Sequence, residues 1–313
     1  NVDTNGMIVI PRSVHQPWRI LFSKLSLTPP AIKNKLKVQL LPQAIPAMQV
    51  DCNNVHYGKS YYSKLKFNLT SIPHGVDISN MVVKSPLFSA SLYGRWLNNK
   101  SPSTFLYGRV VLNHAGNLFN SHKITHLVSG GFGSAGVSLV SASSPFNMSA
   151  STLTGNINFS FKYGRLMLPE SSSFRMAMLR VLNVLSLSSL PEHLASAFTD
   201  VLKKGYQFDA LKGNLLFSKG EISFSHLQMD GDALKMGVQG KVDLLAKTCD
   251  LTVSVYPYVT SSLPVVAGIA GGPLVGATAW VVNKLLEPSI GELASSTYHV
   301  SGLMNHLVVT KVG

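Results

Sequence analysis

The sequence predicts a mainly β protein whose strands form an antiparallel meander, with helical segments inserted towards the C-terminus. Polar and apolar residues alternate along 63–70 and again along 156–162, so each strand presents one apolar face and one solvent-exposed polar face. Turn residues separate several such stretches, as at 98–102 and 218–220. Two later stretches lose this alternation and are rich in leucine and methionine or in glycine, which predicts helices there.

Short apolar and β-branched runs recur along most of the chain. Because turn signals separate several consecutive runs, we expect neighbouring strands to pair antiparallel. Beyond the two alternating stretches, the predicted strands are 18–27, 48–57, 75–84, 87–96, 105–113, 136–142, 213–218, 221–229, 234–244 and 249–257.

A helical hairpin is predicted at 174–204, between two of the strands. Residues 173–187 place leucine, methionine and valine side chains on one broad stripe at helical spacing. Pro191 suits the start of a second helix and Gly205 suits its end. Such a stripe is more often buried in a protein core than exposed to lipid, so we expect packing to be its first role and lipid contact its second.

An apolar segment lies at 263–282, within a stretch that has no charged residue between Asp250 and Lys284. Its length is that of a bilayer span, about 20 residues. The Gly-Pro pair at 272–273 interrupts it, because proline lacks an amide proton and clashes with the preceding helical turn. Two interpretations remain open: one membrane-spanning helix, or a broken apolar hairpin at 263–287 that packs on the sheet or inserts into a membrane.

The composition is that of a folded and strongly basic chain. Hydrophobic residues make up 45% of the sequence, which excludes a disordered protein, and charged residues make up only 13%. The net charge is +13, and the first 100 residues hold twelve basic and three acidic residues. This excess suits an anionic partner such as phospholipid headgroups, although scattered lysines on a solvated strand face explain it equally well. Nucleic acid is a weaker interpretation, because basic and aromatic residues do not cluster.

Two cysteines, Cys52 and Cys249, fall in predicted strands. They could form a disulfide in an oxidising compartment. Cysteines in strand-like stretches are typically buried, however, so two buried thiols are the favoured interpretation.

No motif points to catalysis or to a cofactor. The glycines at 131, 133 and 136 fit the dinucleotide-binding pattern, but a strand rich in serine and valine follows them instead of a helix. His122 and His126 have the spacing of one helix face and His114 is nearby, which allows a zinc site. Since no carboxylate or cysteine accompanies them, surface histidines are the favoured interpretation. The sequence therefore predicts no enzyme, no cofactor and no metal.

Turn signals separate the predicted strands less clearly in the N-terminal part than in the rest of the chain. Proline-rich stretches at 28–30 and 42–46 predict a linker before the strand that carries Cys52. The chain begins with Asn1 and shows no signal peptide, so we interpret it as a piece of a longer polypeptide. Residues 1–40 are then the end of a preceding β repeat and its linker.

A series of short motifs follows in order from residue 156 to the C-terminus. They are YGRL at 163–166, VLSLSSLP at 184–191, GYQFD at 205–209, MDG at 229–231, GKVDL at 240–244, YP at 256–257, SSLP at 261–264, AGGP at 270–273, KLL at 284–286 and YHVSG at 298–302. In order and spacing they resemble the C-terminal region of YhdP-type proteins, the AsmA-like family of bacterial envelope lipid transporters. Residues 48–51 and 94–96 resemble the preceding region of that family more loosely.

The resemblance implies a long, twisted antiparallel sheet curled into a hydrophobic groove. It also implies non-enzymatic lipid transfer, in which phospholipid acyl chains move along the groove between the inner and outer membranes of a Gram-negative bacterium. The protein would lie in the periplasm, anchored in the inner membrane by a segment that precedes this chain. Within the chain, 41–170 would be a β-groove region, and 171–313 a C-terminal region with helical inserts and closing strands.

A groove of this kind needs one apolar face per strand, since burying each methylene of an acyl chain contributes about 0.8 kcal/mol. Ordinary protein core is the alternative interpretation for each residue of that face. The expected groove lining comprises Leu65, Phe67, Leu69, Ile157, Phe159, Phe161, Ile222, Phe224, Val238, Val242, Leu251, Val253 and Val255.

The expected partners are phospholipids and either the outer-membrane surface or a docking protein there, with the protein a monomer and no nucleic acid bound. The segments 174–204 and 263–287 would cap the end of the groove, with the C-terminus towards the outer membrane. The competing interpretation is a structural envelope protein, in which the sheet is a filled sandwich and the apolar helices anchor it. The expected membrane-contact residues are Leu263, Val265, Val266, Ile269, Leu274, Val275, Trp280 and Val281.

Overall fold

The structure is a computed structural model. It describes residues 4–13, 16–28, 41–99, 101–121, 128–167, 205–231, 234–257 and 296–312. The predicted helical segments at 174–204 and 263–287, with all eight expected membrane-contact residues, lie outside the described residues.

The described residues are mainly β, as the sequence predicts. They contain one short α-helix, α1 (Ala115–Ser121), and 3-10 turns at Pro42–Ala44, Pro145–Asn147 and Ala150–Thr152. Each strand is hydrogen-bonded to the strands that precede and follow it in the chain. The strands are β1 (Thr4–Val9), β2 (Trp18–Leu27), β3 (Met48–Tyr57), β4 (Ser60–Ile72), β5 (Gly75–Lys84), β6 (Phe88–Asn98), β7 (Pro102–Leu112), β8 (Val128–Ser141), β9 (Leu153–Leu166), β10 (Tyr206–Ser218), β11 (Glu221–Gly231), β12 (Leu234–Asp243), β13 (Thr248–Pro257), β14 (Ser296–Leu303) and β15 (His306–Lys311).

One strand pair departs from the predicted antiparallel meander. Strands β2 and β3 are parallel, with Trp18 opposite Met48 and Phe22 opposite Cys52. Parallel strands need a connection of a dozen residues or more, and the stretch between Leu27 and Met48 is long enough to provide it. The antiparallel prediction is therefore wrong for this pair, whereas the other pairs with a described register are antiparallel.

Strand β8 begins at Val128, well before the predicted strand at 136–142. It contains all three glycines that fit the dinucleotide pattern, so these glycines belong to a strand and do not precede a helix. Gly133 has a steric role, because a Cβ there would lie 2.0 Å from the Ser160 carbonyl oxygen. The backbone of β8 approaches its neighbour too closely for any side chain at this position.

The contacts between Cα atoms divide the chain into two compact units. The first unit comprises Asn1–Phe161 and Asn214–Ser223, and the second comprises Lys162–Gly213 and Phe224–Gly313. Strands β1 and β2 belong to the first unit, in which β1 pairs with β2 and β2 pairs with β3. The predicted division at residues 40 and 170 stays a prediction.

The core of the first unit includes a cluster centred on β3. Its buried members are Val50, Cys52 and Val55, and Cys52 is 1% exposed. The alternation along β3 places Val50 and Cys52 on the same side of the strand. Partly buried side chains from β2, β3 and β4 pack against the cluster: Ile20, Phe22, Leu25, Met48, Tyr62, Leu65 and Phe67.

The core of the second unit contains large side chains that are almost wholly buried, among them Phe208, Leu234 and Tyr298. The Phe208 ring lies over Gly164, where a Cβ would come within 2.4 Å of the ring. The Tyr206 hydroxyl donates to the Leu234 carbonyl oxygen at 3.0 Å and accepts from the Leu234 amide at 3.1 Å. These two hydrogen bonds to the backbone of one residue tie the start of β10 to the start of β12.

Both cysteines are free and buried, which confirms the predicted pair of buried thiols. Cys52 lies in the first unit and Cys249 in the second. Burial raises the pKa of each thiol, because the thiolate loses its hydration there.

Candidate functional site

The register of β4 to β8 aligns apolar side chains in rows across the first unit. One row contains Leu65, Val83, Ala90, Val110 and Ala135, each directly opposite the next. Two further rows lie beside it, because alternate residues of a strand point to the same side. Together with Leu65 and its row, the first apolar face comprises Leu69, Ile78, Met81, Leu92, Leu106, Val137 and Leu139.

Many side chains of the first apolar face are only half-buried, among them Leu65, Leu92, Leu106 and Val110. In the part of the first unit that the structure describes, substantial contacts between elements run between neighbouring strands, with two exceptions. Helix α1 contacts β8, and the turn Pro42–Ala44 contacts β4, β5 and β6. In the middle of the first apolar face, Leu92 and Leu106 are half-buried, whereas Val83, Ala90 and Leu139 of the same face are buried.

Aromatic pairs lie at both ends of the first apolar face. At one end, Phe119 of α1 meets Phe161 edge-on, with ring centroids 6.2 Å apart. At the other end, Trp96 of β6 meets Phe146 edge-on at 5.7 Å. Between these ends the three rows span about 14 Å along the strands, and β4 to β8 span about 19 Å across them.

Strand β9 adds an aromatic edge to this surface. Phe159 and Phe161 stack with centroids 5.1 Å apart and an angle of 25° between the rings. Phe161 lies against Gly133 of β8, so β9 runs beside β8 at this point. Phe161 is buried, whereas Ile157 and Phe159 are half-buried.

The second unit has an apolar face of its own on β12, β13 and β14. Val238 lies opposite Val253, and Val253 lies opposite Tyr298. The pattern repeats along both strands, which brings five of the predicted groove residues to one side. The second apolar face comprises Met236, Val238, Val242, Cys249, Leu251, Val253, Val255, Tyr298 and Val300.

The other side of the first unit carries charged residues together with exposed apolar ones such as Phe105 and Val111, and two of its positive charges are paired. Arg95 donates to both carboxylate oxygens of Asp77, at 2.5 and 2.9 Å, and to the Tyr93 hydroxyl at 3.2 Å. The hydrogen bond from Arg95 lowers the pKa of Asp77. Lys64 contacts Asp51 and donates to the Asn53 amide oxygen at 3.0 Å. The positive charges of Lys64 and Arg95 are thus partly compensated by neighbouring aspartates, as the solvated-face interpretation expects.

The remaining sequence predictions fall as follows. Leu65, Phe67 and Leu69 lie on the same side of the first unit as the β3 cluster, since Phe67 is opposite Val50 and Leu65 opposite Cys52. Ile222 and Phe224 are half-buried on β11. Their proposed contact with lipid stays a prediction, as it does for every groove residue.

Sequence reasoning missed the contribution of β6 and β7 to the first apolar face. Both strands were predicted, and Ala90, Leu92 and Gly94 alternate with polar residues in the same way as the stretches that were used. In β7 apolar residues lie on both sides, with Phe105 beside Leu106 and Val111 beside Val110, so alternation alone does not assign its face.

The predicted histidine cluster is only partly described. His114 is exposed just before α1, and His122 and His126 lie outside the described residues. Among the described residues, no three histidine, cysteine or acidic side chains are placed to hold a metal ion. The described part of the chain also has no helix that is both long and apolar enough to cross a membrane.

Each unit is thus a β structure with a continuous apolar face on one side of its strands. The chain belongs to the YhdP protein family, whose family model matches residues 2–306, and the predicted resemblance is confirmed. It is 21% identical over 271 residues to the intermembrane phospholipid transporter YhdP of Escherichia coli (strain K12). The match covers 85% of this chain and 21% of that transporter, so the chain spans about a fifth of the length of its curated relative. No solved structure matches the chain.

Proposed function

We propose that this chain binds phospholipid acyl chains on its apolar faces and takes part in moving phospholipid between membranes, without catalysing a reaction. The observation that carries the proposal is the first apolar face, whose rows run directly from strand to strand from β4 to β8. Membership of the YhdP family and the name of the Escherichia coli relative support the same cargo.

The chemistry of the face suits acyl chains. Its side chains are aliphatic, and Phe159 and Phe161 add two stacked rings at the β9 edge. Each methylene removed from water contributes about 0.8 kcal/mol, so a chain of many methylenes binds without specific hydrogen bonds. A surface without directional contacts also lets a lipid shift from one row to the next at little cost.

The size and exposure of the face also favour a ligand. The footprint of the face, about 14 Å by about 19 Å, is wide enough for several extended acyl chains to lie side by side. Leu92 and Leu106 remain half-buried although they lie in the middle of the face. A filled sandwich would bury both of them under a second layer.

The finer features of the function extend this proposal. The groove lining is the set predicted from the sequence, and the segments 174–204 and 263–287 contact the outer membrane or a docking protein there. The chain acts as a monomer in the periplasm, with its C-terminus towards the outer membrane. An anchor in the inner membrane belongs to a part of the protein that precedes residue 1.

The test is native mass spectrometry of the purified chain, followed by lipid extraction, on the wild type and two neighbouring variants. Phe159→Asp places a charge on the apolar side of β9, whereas Asn158→Asp adds the same charge at an exposed position next to it. We expect phospholipid to accompany the wild type and Asn158→Asp, and to be lost from a folded Phe159→Asp. A well-folded wild type free of lipid after expression and after incubation with phospholipid would contradict the proposal and favour the structural envelope protein.

A further inference from the structure

A cavity of about 180 Å³ that is open to solvent lies in the second unit, on β11, β12 and β13, and its residues His226, Lys235, Gln239, Thr252 and Tyr256 are exposed. The register of β12 and β13 shows which side of the strands it occupies. Lys235 is opposite Tyr256, Gly237 opposite Ser254 and Gln239 opposite Thr252, and these pairs alternate with those of the second apolar face. The cavity is thus on the polar side. We call it the polar cavity, and it is lined by His226, Leu227, Gln228, Lys235, Met236, Gly237, Val238, Gln239, Thr252, Ser254 and Tyr256.

Gly237 forms the opening in the strand surface that makes the polar cavity. A Cβ at this position would meet no atom within 4 Å, whereas a Cβ at Gly240 would lie 2.2 Å from the Asp250 carbonyl oxygen. Strand residues with a side chain would fill this space. Lys235 and Gln239 flank the opening on β12, and Ser254 faces it from β13.

The lining groups of the polar cavity favour an anion. Lys235 supplies an ammonium group, and the imidazole, amide and hydroxyl groups around it can all donate hydrogen bonds. Among the lining residues that the structure describes, none is a carboxylate. Asp230 and Asp250 lie two residues beyond the lining on β11 and β13, and Asp250 is bonded to the His299 ring nitrogen at 2.7 Å. A negative ligand in the polar cavity therefore meets donors without meeting a lining acid.

The volume of the polar cavity indicates the size of the group that it can hold. It equals the share of about six water molecules in the liquid, at roughly 30 Å³ each. Because the cavity is open to solvent, it can hold the polar end of a larger molecule while the rest stays outside. A phosphate group with a short substituent fits within it.

We propose that the polar cavity binds a phosphate-bearing anion, supplied either by a phospholipid headgroup or by a soluble phosphate ester. Lys235 provides the charge, as lysine does in many phosphate sites, and the hydroxyls of Ser254 and Tyr256 provide hydrogen bonds. This site lies on the opposite side of β12 and β13 from the second apolar face. It does not depend on the lipid-binding role proposed for the apolar faces.

The test is a titration of the isotope-labelled chain with inorganic phosphate and with glycerol 3-phosphate, followed by amide chemical shifts. We expect saturable shifts at Gly237, Ser254 and their neighbours. Gly237→Val fills the opening, since a Cβ there meets no atom within 4 Å, and it should weaken binding at least ten-fold. Lys235→Gln removes the charge and should also weaken binding, whereas Lys247→Gln, an exposed lysine in the turn after β12, should bind as the wild type does.

Unchanged phosphate binding in both Gly237→Val and Lys235→Gln would overturn the proposal, as would the absence of saturable shifts in the wild type. If Gly237→Val does not fold, Lys235→Gln decides the matter alone. Flotation with phosphatidylglycerol and with phosphatidylcholine vesicles separates the two sources. Flotation that falls in Lys235→Gln identifies the lipid headgroup, and equal flotation together with lost phosphate shifts identifies a soluble phosphate ester.

Discussion

Phe159 and Phe161 stack on one side of β9, with ring centroids 5.1 Å apart and an angle of 25° between their planes. Two residues apart on a strand, they point to the same side, and Phe161 lies against Gly133 of β8. Helix α1 reaches the same ring through Phe119. A single aromatic residue thus joins β8, β9 and α1 at one end of the first apolar face.

The close approach at Gly133 predicts that alanine substitutions at two glycines of β8 differ sharply in their effect on stability. Gly133→Ala would place its Cβ 2.0 Å from the Ser160 carbonyl oxygen, so the backbone must shift, and we expect a loss of stability of about 1–3 kcal/mol. At Gly136 the nearest atom is 4.0 Å away, and alanine there should be neutral or stabilising by up to about 1 kcal/mol. Urea unfolding of both variants measures the difference. Equal stabilities would show that β8 does not approach β9 in this way.

The ion pair of Arg95 and Asp77 predicts a pH dependence. The pKa of Asp77 is lowered in the folded chain, so its stabilising effect is full above the unfolded pKa of about 3.9 and is lost as the pH falls through the folded value. Asp77→Asn should therefore lower the urea midpoint at pH 7, and the difference from the wild type should shrink below about pH 4. In an Arg95→Gln background the same substitution should have much less effect. A midpoint difference that does not change with pH would contradict the pairing.

The two buried thiols predict slow alkylation that reports on each unit separately. Burial raises the pKa of Cys52 and of Cys249, and both side chains are shielded, so iodoacetamide at pH 8 should modify the folded chain on the order of 100-fold more slowly than the unfolded chain. A Cys52→Ala variant leaves Cys249 to report on the second unit, and Cys249→Ala leaves Cys52 to report on the first. Mass spectrometry of timed samples gives both rates. Rapid modification of either thiol in the native chain would contradict its burial.

The sequence predicted most strands because the alternation of polar and apolar residues is a local property. It marked the stretch with Leu65 and Phe67 and the stretch with Phe159 and Phe161, and the structure places both pairs in strands. The same property is present in β6, whereas β7 has apolar residues on both sides, and Leu92 and Leu106 of these strands complete the first apolar face. The predicted strand faces follow from the residues alone.

The remaining features depend on contacts between distant residues, which alternation does not reveal. The parallel pairing of β2 with β3 depends on how the long connection between them places β2 beside β3. Local alternation carries no information about that direction. The first half of β8 is rich in glycine, which disfavours a strand unless a neighbouring backbone requires it, as Ser160 does at Gly133. Gly237 gives no signal of the polar cavity, because an opening is visible only once the neighbouring strands are placed.

The proposed lipid contact is tested by photocrosslinking at two adjacent residues of β7. Leu106 lies on the first apolar face, opposite Gly94 and Leu139, whereas Phe105 lies on the other side of the same strand, opposite Arg95 and Val140. Leu92 and Tyr93 of β6 form a second pair with the same arrangement. Each residue is replaced singly by benzoylphenylalanine, and the folded variant is irradiated in the presence of phospholipid.

We expect phospholipid adducts at positions 106 and 92 and none above background at 105 and 93, read out by mass spectrometry of the irradiated protein. Circular dichroism confirms that each variant is folded before irradiation. Equal adducts on both sides of the strands, or folded variants at 106 and 92 that form none, would contradict acyl-chain binding on the first apolar face.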